Sequence, residues 1–192
     1  MSTQVKIDAR QQRITALKLD HNRDAFFVSM ISEIADVLQS IIGVENAAGF
    51  VTTVADNIGS AITRDYTHAL KIERLSKDVL ADVLVDLKRR ISGDFYVIEE
   101  TEDRIVLGNR RCPYGKMVQG KPALCMMTSN ILGRVASSST SYAKVHLAKT
   151  IANYAPGCEI IIYLKPTEEA RQAPGIEYFD DELELIDSKD TV

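Results

Sequence analysis

The apolar residues of this chain recur first at helical and then at strand spacing. From Arg23 to Ile42, Phe26, Phe27, Met30, Ile31, Ile34, Val37, Leu38 and Ile41 return every three or four residues, which predicts an amphipathic helix closed by Gly43. A second helix is expected from about Glu45 to Leu70, with Ala47, Val51, Val54, Ile58, Ile62, Tyr66 and Leu70 as its stripe. Gly49 and Gly59 lie within it, and a helical glycine costs about 1 kcal/mol relative to alanine. Close packing against another helix, including one from a second subunit, would account for both. Ser76 caps a third helix carrying Val79, Leu80, Val83, Leu84, Leu87 and Ile91. Its basic end, Lys88-Arg89-Arg90, suits the negative pole of the helix dipole.

After Ser92-Gly93 the period becomes that of strands. Asp94 to Glu100 and Arg104 to Leu107 predict a hairpin, and Gly108 to Lys121 a loop. Pro122 opens a helix to about Ser138. Strands at Tyr142–Ala148 and Cys158–Leu164 make a second hairpin. The fold class is therefore α+β: N-terminal helices followed by an antiparallel sheet of two hairpins flanking a helix. Residues 1–22 form a polar lead-in, 23–165 a single domain (23–92 helical, 93–165 sheet), and 166–192 an acidic tail expected to be disordered or to bind a partner.

Charge sharpens that division. Nine acidic and two basic residues give the tail a charge of −7, so the net −4 leaves the rest at +3. That weak positive charge, with no stacking aromatics, argues against nucleic-acid binding. No uninterrupted apolar run reaches the roughly 18 residues of a membrane span, and the N-terminus has no apolar signal core. A cytoplasmic location without membrane attachment is the expectation.

The candidate chemistry centres on the three cysteines. Cys112 follows Arg110-Arg111 and precedes Pro113; Cys125 falls in the first turn of the helix opened by Pro122; Cys158 begins the last strand. The arginines and the helix dipole would favour thiolates at Cys112 and Cys125. Three readings stay open: zinc or an iron–sulfur cluster held by Cys112, Cys125 and Cys158, three plain thiols, or a redox pair. His146 is the candidate fourth ligand, although it alternates with Ala143, Val145 and Leu147 on the polar strand face of Tyr142 and Lys144. Cys125, Ser129, Gly133 and Ser137 make a small-residue stripe beside Leu124, Met127, Ile131 and Val135. Such a stripe leaves room for another backbone or for a ligand contacting Met127, Ser129 and Gly133. No Ser-His-Asp or Cys-His arrangement and no phosphate-binding loop is visible.

The pieces VLVDLKRRISGDFYVIEE, IVLGNRRCPYG, LCMMTSNILG, YAKVHLAKTIA and CEIIIYL, from Val83 to Lys165, resemble the methanogen-type output domain of prokaryotic signalling proteins. That domain is similar to vinyl-4-reductase-type ligand-binding domains, in a wider group with haem-based nitric-oxide sensors and TRAPP trafficking subunits. The resemblance implies a sensory or regulatory module rather than an established enzyme. The first expectation is therefore a cytosolic sensory domain, a homodimer through its N-terminal helices that acts on a signalling partner. In vinyl-4-reductase-type domains cysteines and a carboxylate often hold zinc near the second hairpin. Cys158 matches that pattern, whereas Leu147 and Thr150 stand where a Glu and a Cys would be wanted. Two alternatives accompany this reading: a thiol switch or enzyme using Cys125, and an interaction module without a cofactor.

Overall fold

A computed structural model describes residues 3–19 and 22–180. Helix α1 (Thr3–Thr15) occupies the lead-in. Helix α2 (Arg23–Leu70) runs 48 residues and begins at Asn22, whose side chain accepts a hydrogen bond from the Ala25 N–H. Its two predicted halves meet at Gly43, where φ 80° and ψ 165° break the helical path, a conformation that glycine adopts without strain. Helix α3 (Lys77–Arg90) leads into β1 (Phe95–Glu100) and β2 (Arg104–Asn109). Helix α4 (Pro122–Thr140) follows, then β3 (Tyr142–Lys149) and β4 (Cys158–Tyr163). The predicted α+β order and both hairpins are present.

With a fifth strand, β5 (Ile176–Phe179), the sheet is antiparallel throughout, in the order β1-β2-β4-β3-β5. Helices α3 and α4 cover one face. Leu80, Val83 and Leu84 of α3 and Leu132 and Val135 of α4 bury against Ile105, Leu107, Val145, Ile160 and Ile162. The C-terminal half of α2 lies outside α4. A Cβ on Gly59 would stand 2.9 Å from the Cβ of Arg134, so that glycine does serve close helix packing, whereas Gly49 faces open space.

The tail is a correction. Residues expected to be disordered form a short helix, α5 (Glu168–Gln172), and strand β5 (Ile176–Phe179), which pairs with β3. Their acidic groups are used: Glu169 pairs with Arg104, Glu177 with Lys144 and Asp180 with Arg74, while Ala170 and Tyr178 are buried. The remaining part of the tail, 181–192, lies outside the described residues.

The N-terminal half of α2 differs from expectation in another way. Arg23–Gly43, with its polar positions averaged in, is long and apolar enough to cross a membrane, and almost none of it is buried. One side nonetheless rests on the domain. Ile31 and Ala35 pack against Val118 and Leu124, and Lys121 Nζ lies 2.5 Å from both Ser32 Oγ and Asp36 Oδ2. The other side leaves Phe26, Phe27, Met30, Ile34, Val37 and Ile41 exposed.

Candidate functional site

Between the first turns of α4 and the adjoining ends of β2 and β4 lies a cavity of about 20 Å³, room for one water-sized guest. The fold brings all three cysteines to it. Cys158 is registered opposite Asn109 at the end of the β2–β4 ladder; Cys112 follows three residues after Asn109; Cys125 points in from α4. Phe95, Tyr114, Val118, Leu124, Thr128 and Thr150 complete much of the wall.

The thiols are not the thiolates that their neighbours suggested. Burial pushes Cys125 up to about 11, reinforced by Cys158 and Cys112; it also raises Cys112. Desolvation outweighs the helix dipole at Cys125. The two arginines before Cys112 are engaged elsewhere: the Arg110 guanidinium lies 4.0 Å over the Tyr96 ring, and Arg111 Nε donates to the Ser92 carbonyl at 3.2 Å. Cys158 Sγ is held by the Ile151 N–H at 3.4 Å and by Asn109 Nδ2 at 3.9 Å.

Among the described residues no three His, Cys, Asp or Glu side chains stand close enough together to hold a metal ion. The cysteines share a cavity without converging into a ligand set for zinc or an iron–sulfur cluster. His146 is not with them: its neighbour Leu147 lines the cavity, so by strand alternation the imidazole lies across the sheet. That face is less polar than the sequence suggested, because Tyr142 and Lys144 are buried and His146 Nδ1 is buried without a hydrogen-bond partner among the described residues.

The small-residue stripe of α4 is occupied from within the chain. A Cβ on Gly133 would stand 2.2 Å from the Tyr178 ring, whose hydroxyl donates to Asn130 Oδ1 at 2.6 Å and lies 3.1 Å from Ser129 Oγ. Strand β5 thus fills the space offered to a ligand at Ser129 and Gly133. Met127 borders the cysteine cavity indirectly, through a 3.1 Å contact between its Sδ and the Tyr114 hydroxyl.

The residue missed from sequence is Lys88. It is 2% exposed, and its Nζ lies 3.4 Å from Thr128 Oγ1 and 6.0 Å from the centroid of Phe95, two residues of the cavity wall. Burial lowers its pKa to about 8, partly offset by Cys112 and Cys125. No carboxylate pairs with it among the described residues. Its spacing from Leu80 and Leu84, four residues per step on the buried stripe, was the available signal.

No curated protein matches the chain. Among solved structures it is similar to the phenol-responsive sensory domain of the transcription activator PoxR with phenol, at 11% identity, TM-score 0.58 and 81% coverage of each chain. It is also similar to an Fe(II) unliganded H-NOX protein mutant from K. algicida, at 15% identity and TM-score 0.52, covering 83% of this chain and 87% of that one. At these identities the likeness is one of fold. The match of the family model takes in residues 30–163, from the exposed arm of α2 through the cysteine cavity to the end of β4. The chain belongs to the methanogen output domain 1 family.

Proposed function

We propose that this domain senses a small molecule in the cysteine-lined cavity and reports occupancy through the N-terminal half of α2. One observation carries the reading: Val118 and Leu124 line the cavity and also pack against Ile31 and Ala35 of α2. A guest that displaces either wall residue therefore acts on the arm before Gly43, where the helix is already interrupted. The PoxR sensory domain, similar in fold, holds phenol. A guest of that size would require the cavity to open, whereas one of one to three heavy atoms needs little change.

The output is a protein surface. Eight large apolar side chains of α2, from Phe26 to Phe50, are each 38–73% exposed. They leave roughly 600–800 Å² of apolar area per chain, close to the ~800 Å² per partner of a standard interface. A second copy of this chain is the occupant proposed. A membrane fits less well, because a spanning arm would take Glu33 and Asp36 into lipid and break the Lys121–Asp36 pair.

Thermal shift with guests graded in size from azide and formate to formamide and phenol tests the cavity, repeated on Val118→Phe, which fills it. At least one guest should raise the melting temperature of the natural chain and lose that effect in the variant. An effect that persists in Val118→Phe, or none with any guest, would overturn the reading.

A further inference from the structure

Burying an ammonium without a partner costs several kcal/mol, so a fully buried lysine needs a counter-charge. Among the described residues Lys88 has none. Its contacts among the described residues are the Thr128 hydroxyl and the Phe95 ring, and the nearby thiols are protonated because burial raises Cys112 and Cys125. The cavity in front of it has a matching chemistry. Its polar side chains are Asn109, Tyr114, Thr128, Thr150 and the three cysteines, every one carrying a hydrogen-bond donor, and none is a carboxylate. Asn109 Oδ1 is already used, accepting from the Asp94 and Arg111 N–H groups, so the amide presents its NH₂ end toward Cys158. Thr128 stands between the two parts: it accepts from Lys88 Nζ and keeps its own hydroxyl proton to donate.

We propose that the cavity is an anion site, taking a small monoanion that Thr128 contacts and Lys88 neutralises from behind. The free volume of about 20 Å³ holds about one water, so only the smallest anions are candidates, and a triatomic inorganic anion or the smallest carboxylate enters with slight widening of the wall. The low dielectric of the buried wall strengthens the attraction of the ammonium relative to water. This rests on the cavity being the ligand site and adds the charge of the ligand to that reading.

Azide and formate are the probes, with formamide as the neutral counterpart of formate. Azide binding is read directly by the infrared stretching band, which moves when the ion leaves water, and formate is read by competition. The natural chain should bind both anions and bind formamide much more weakly. Both anions stay ionised between about pH 7 and about pH 9.5, so affinity should fall as pH rises through the Lys88 pKa of about 8. Lys88→Met should lower azide affinity roughly 10- to 100-fold while its circular dichroism and melting show an intact fold. Thr128→Val, which keeps the side-chain shape, gives a second reading and should cost roughly 10-fold. Unchanged azide affinity in Lys88→Met, or formamide binding as tightly as formate, would overturn the anion site. If formamide or phenol stabilises the natural chain and the anions do not, the anion inference falls while the sensor reading stands. If no guest acts, both fall.

Discussion

The same substitution, glycine to alanine, should have opposite effects at two helical positions. At Gly49 a Cβ meets nothing within 4 Å, so alanine should act through helix propensity alone and stabilise by up to about 1 kcal/mol. At Gly133 it would stand 2.2, 2.3 and 2.6 Å from Cδ2, Cε2 and Cγ of Tyr178, where carbon atoms need about 3.5–4.0 Å. The ring cannot swing aside cheaply: its hydroxyl is bonded to Asn130, with Ser129 beside it, and Asn130 donates to Thr52 Oγ1 at 3.0 Å. Helix α4 and strand β5 must separate by about 1 Å. Overpacking of this kind costs about 1–3 kcal/mol, which exceeds the propensity gain. For a chain of this size a net loss of up to about 2 kcal/mol corresponds to a melting temperature lower by up to roughly 8 °C, against a rise of up to about 4 °C for Gly49→Ala. Urea and thermal unfolding of both variants measure the signs. Removing the ring by Tyr178→Ala should make Gly133→Ala nearly harmless, so the double variant should be less destabilised than the sum of the two single ones. A Gly133→Ala protein that melts like Gly49→Ala, or strict additivity with Tyr178→Ala, would refute the docking of β5 on α4.

Three further outcomes are expected. Lys88 is held at about 8 when folded against 10.5 when unfolded, so the unfolded chain binds more protons between these values and stability contributed by this group rises with pH. Lys88→Met should exceed the natural chain in stability most below about pH 8, on the order of 3 kcal/mol, with the gap closing toward about pH 10.5; a gap independent of pH in urea titrations would contradict the buried ammonium. With Cys125 at about 11, its thiolate fraction at neutral pH is roughly 100-fold below that of an ordinary thiol, so thiol-reagent kinetics on native protein should be slow at Cys125 and Cys112 and fast only after unfolding, and rapid modification of Cys125 in the native state would restore the thiol-switch reading. Light scattering should give the natural chain twice its monomer mass and Ile34→Glu, on the exposed arm, the monomer mass; a monomeric natural chain that binds lipid vesicles would transfer that surface to a membrane.

Much of the fold was legible because period and punctuation agree. Gly43 breaks α2, Pro122 opens α4, and the change from helical to alternating spacing after Gly93 marks the sheet. The tail was misread because charge was averaged over 27 residues. Within it Ile176, Glu177 and Tyr178 alternate as a strand should, and Glu169 and Glu177 are absorbed by Arg104 and Lys144 across the sheet. At the cysteines, sequence identified the residues and the structure gathers all three on one cavity, but the ionisation of Cys112 and Cys125 depends on desolvation, which no local motif records. Lys88 was hidden by its neighbours: Arg89 and Arg90 make a basic cluster at the helix end, and only the four-residue step from Leu80 and Leu84 turns it inward.

The placement of α2 gives the sensor reading its mechanical content. Its N-terminal half touches the cavity wall through Ile31 and Ala35 and, on the opposite side, presents Phe26, Met30, Ile34 and Ile41. On the sensor reading one element carries both the face against the proposed ligand cavity and the face proposed for a partner, joined to the rest of the helix at a residue already out of helical geometry. Coupling between two such sites needs only about 1–3 kcal/mol, the scale of one or two methylene groups packed into a core or withdrawn from it. By reciprocity, an assembled dimer must then bind the cavity guest with a different affinity than the isolated chain does. Measuring azide affinity across a dilution series that spans the dimer equilibrium tests that demand, and an affinity that stays constant through the transition would leave cavity and arm uncoupled.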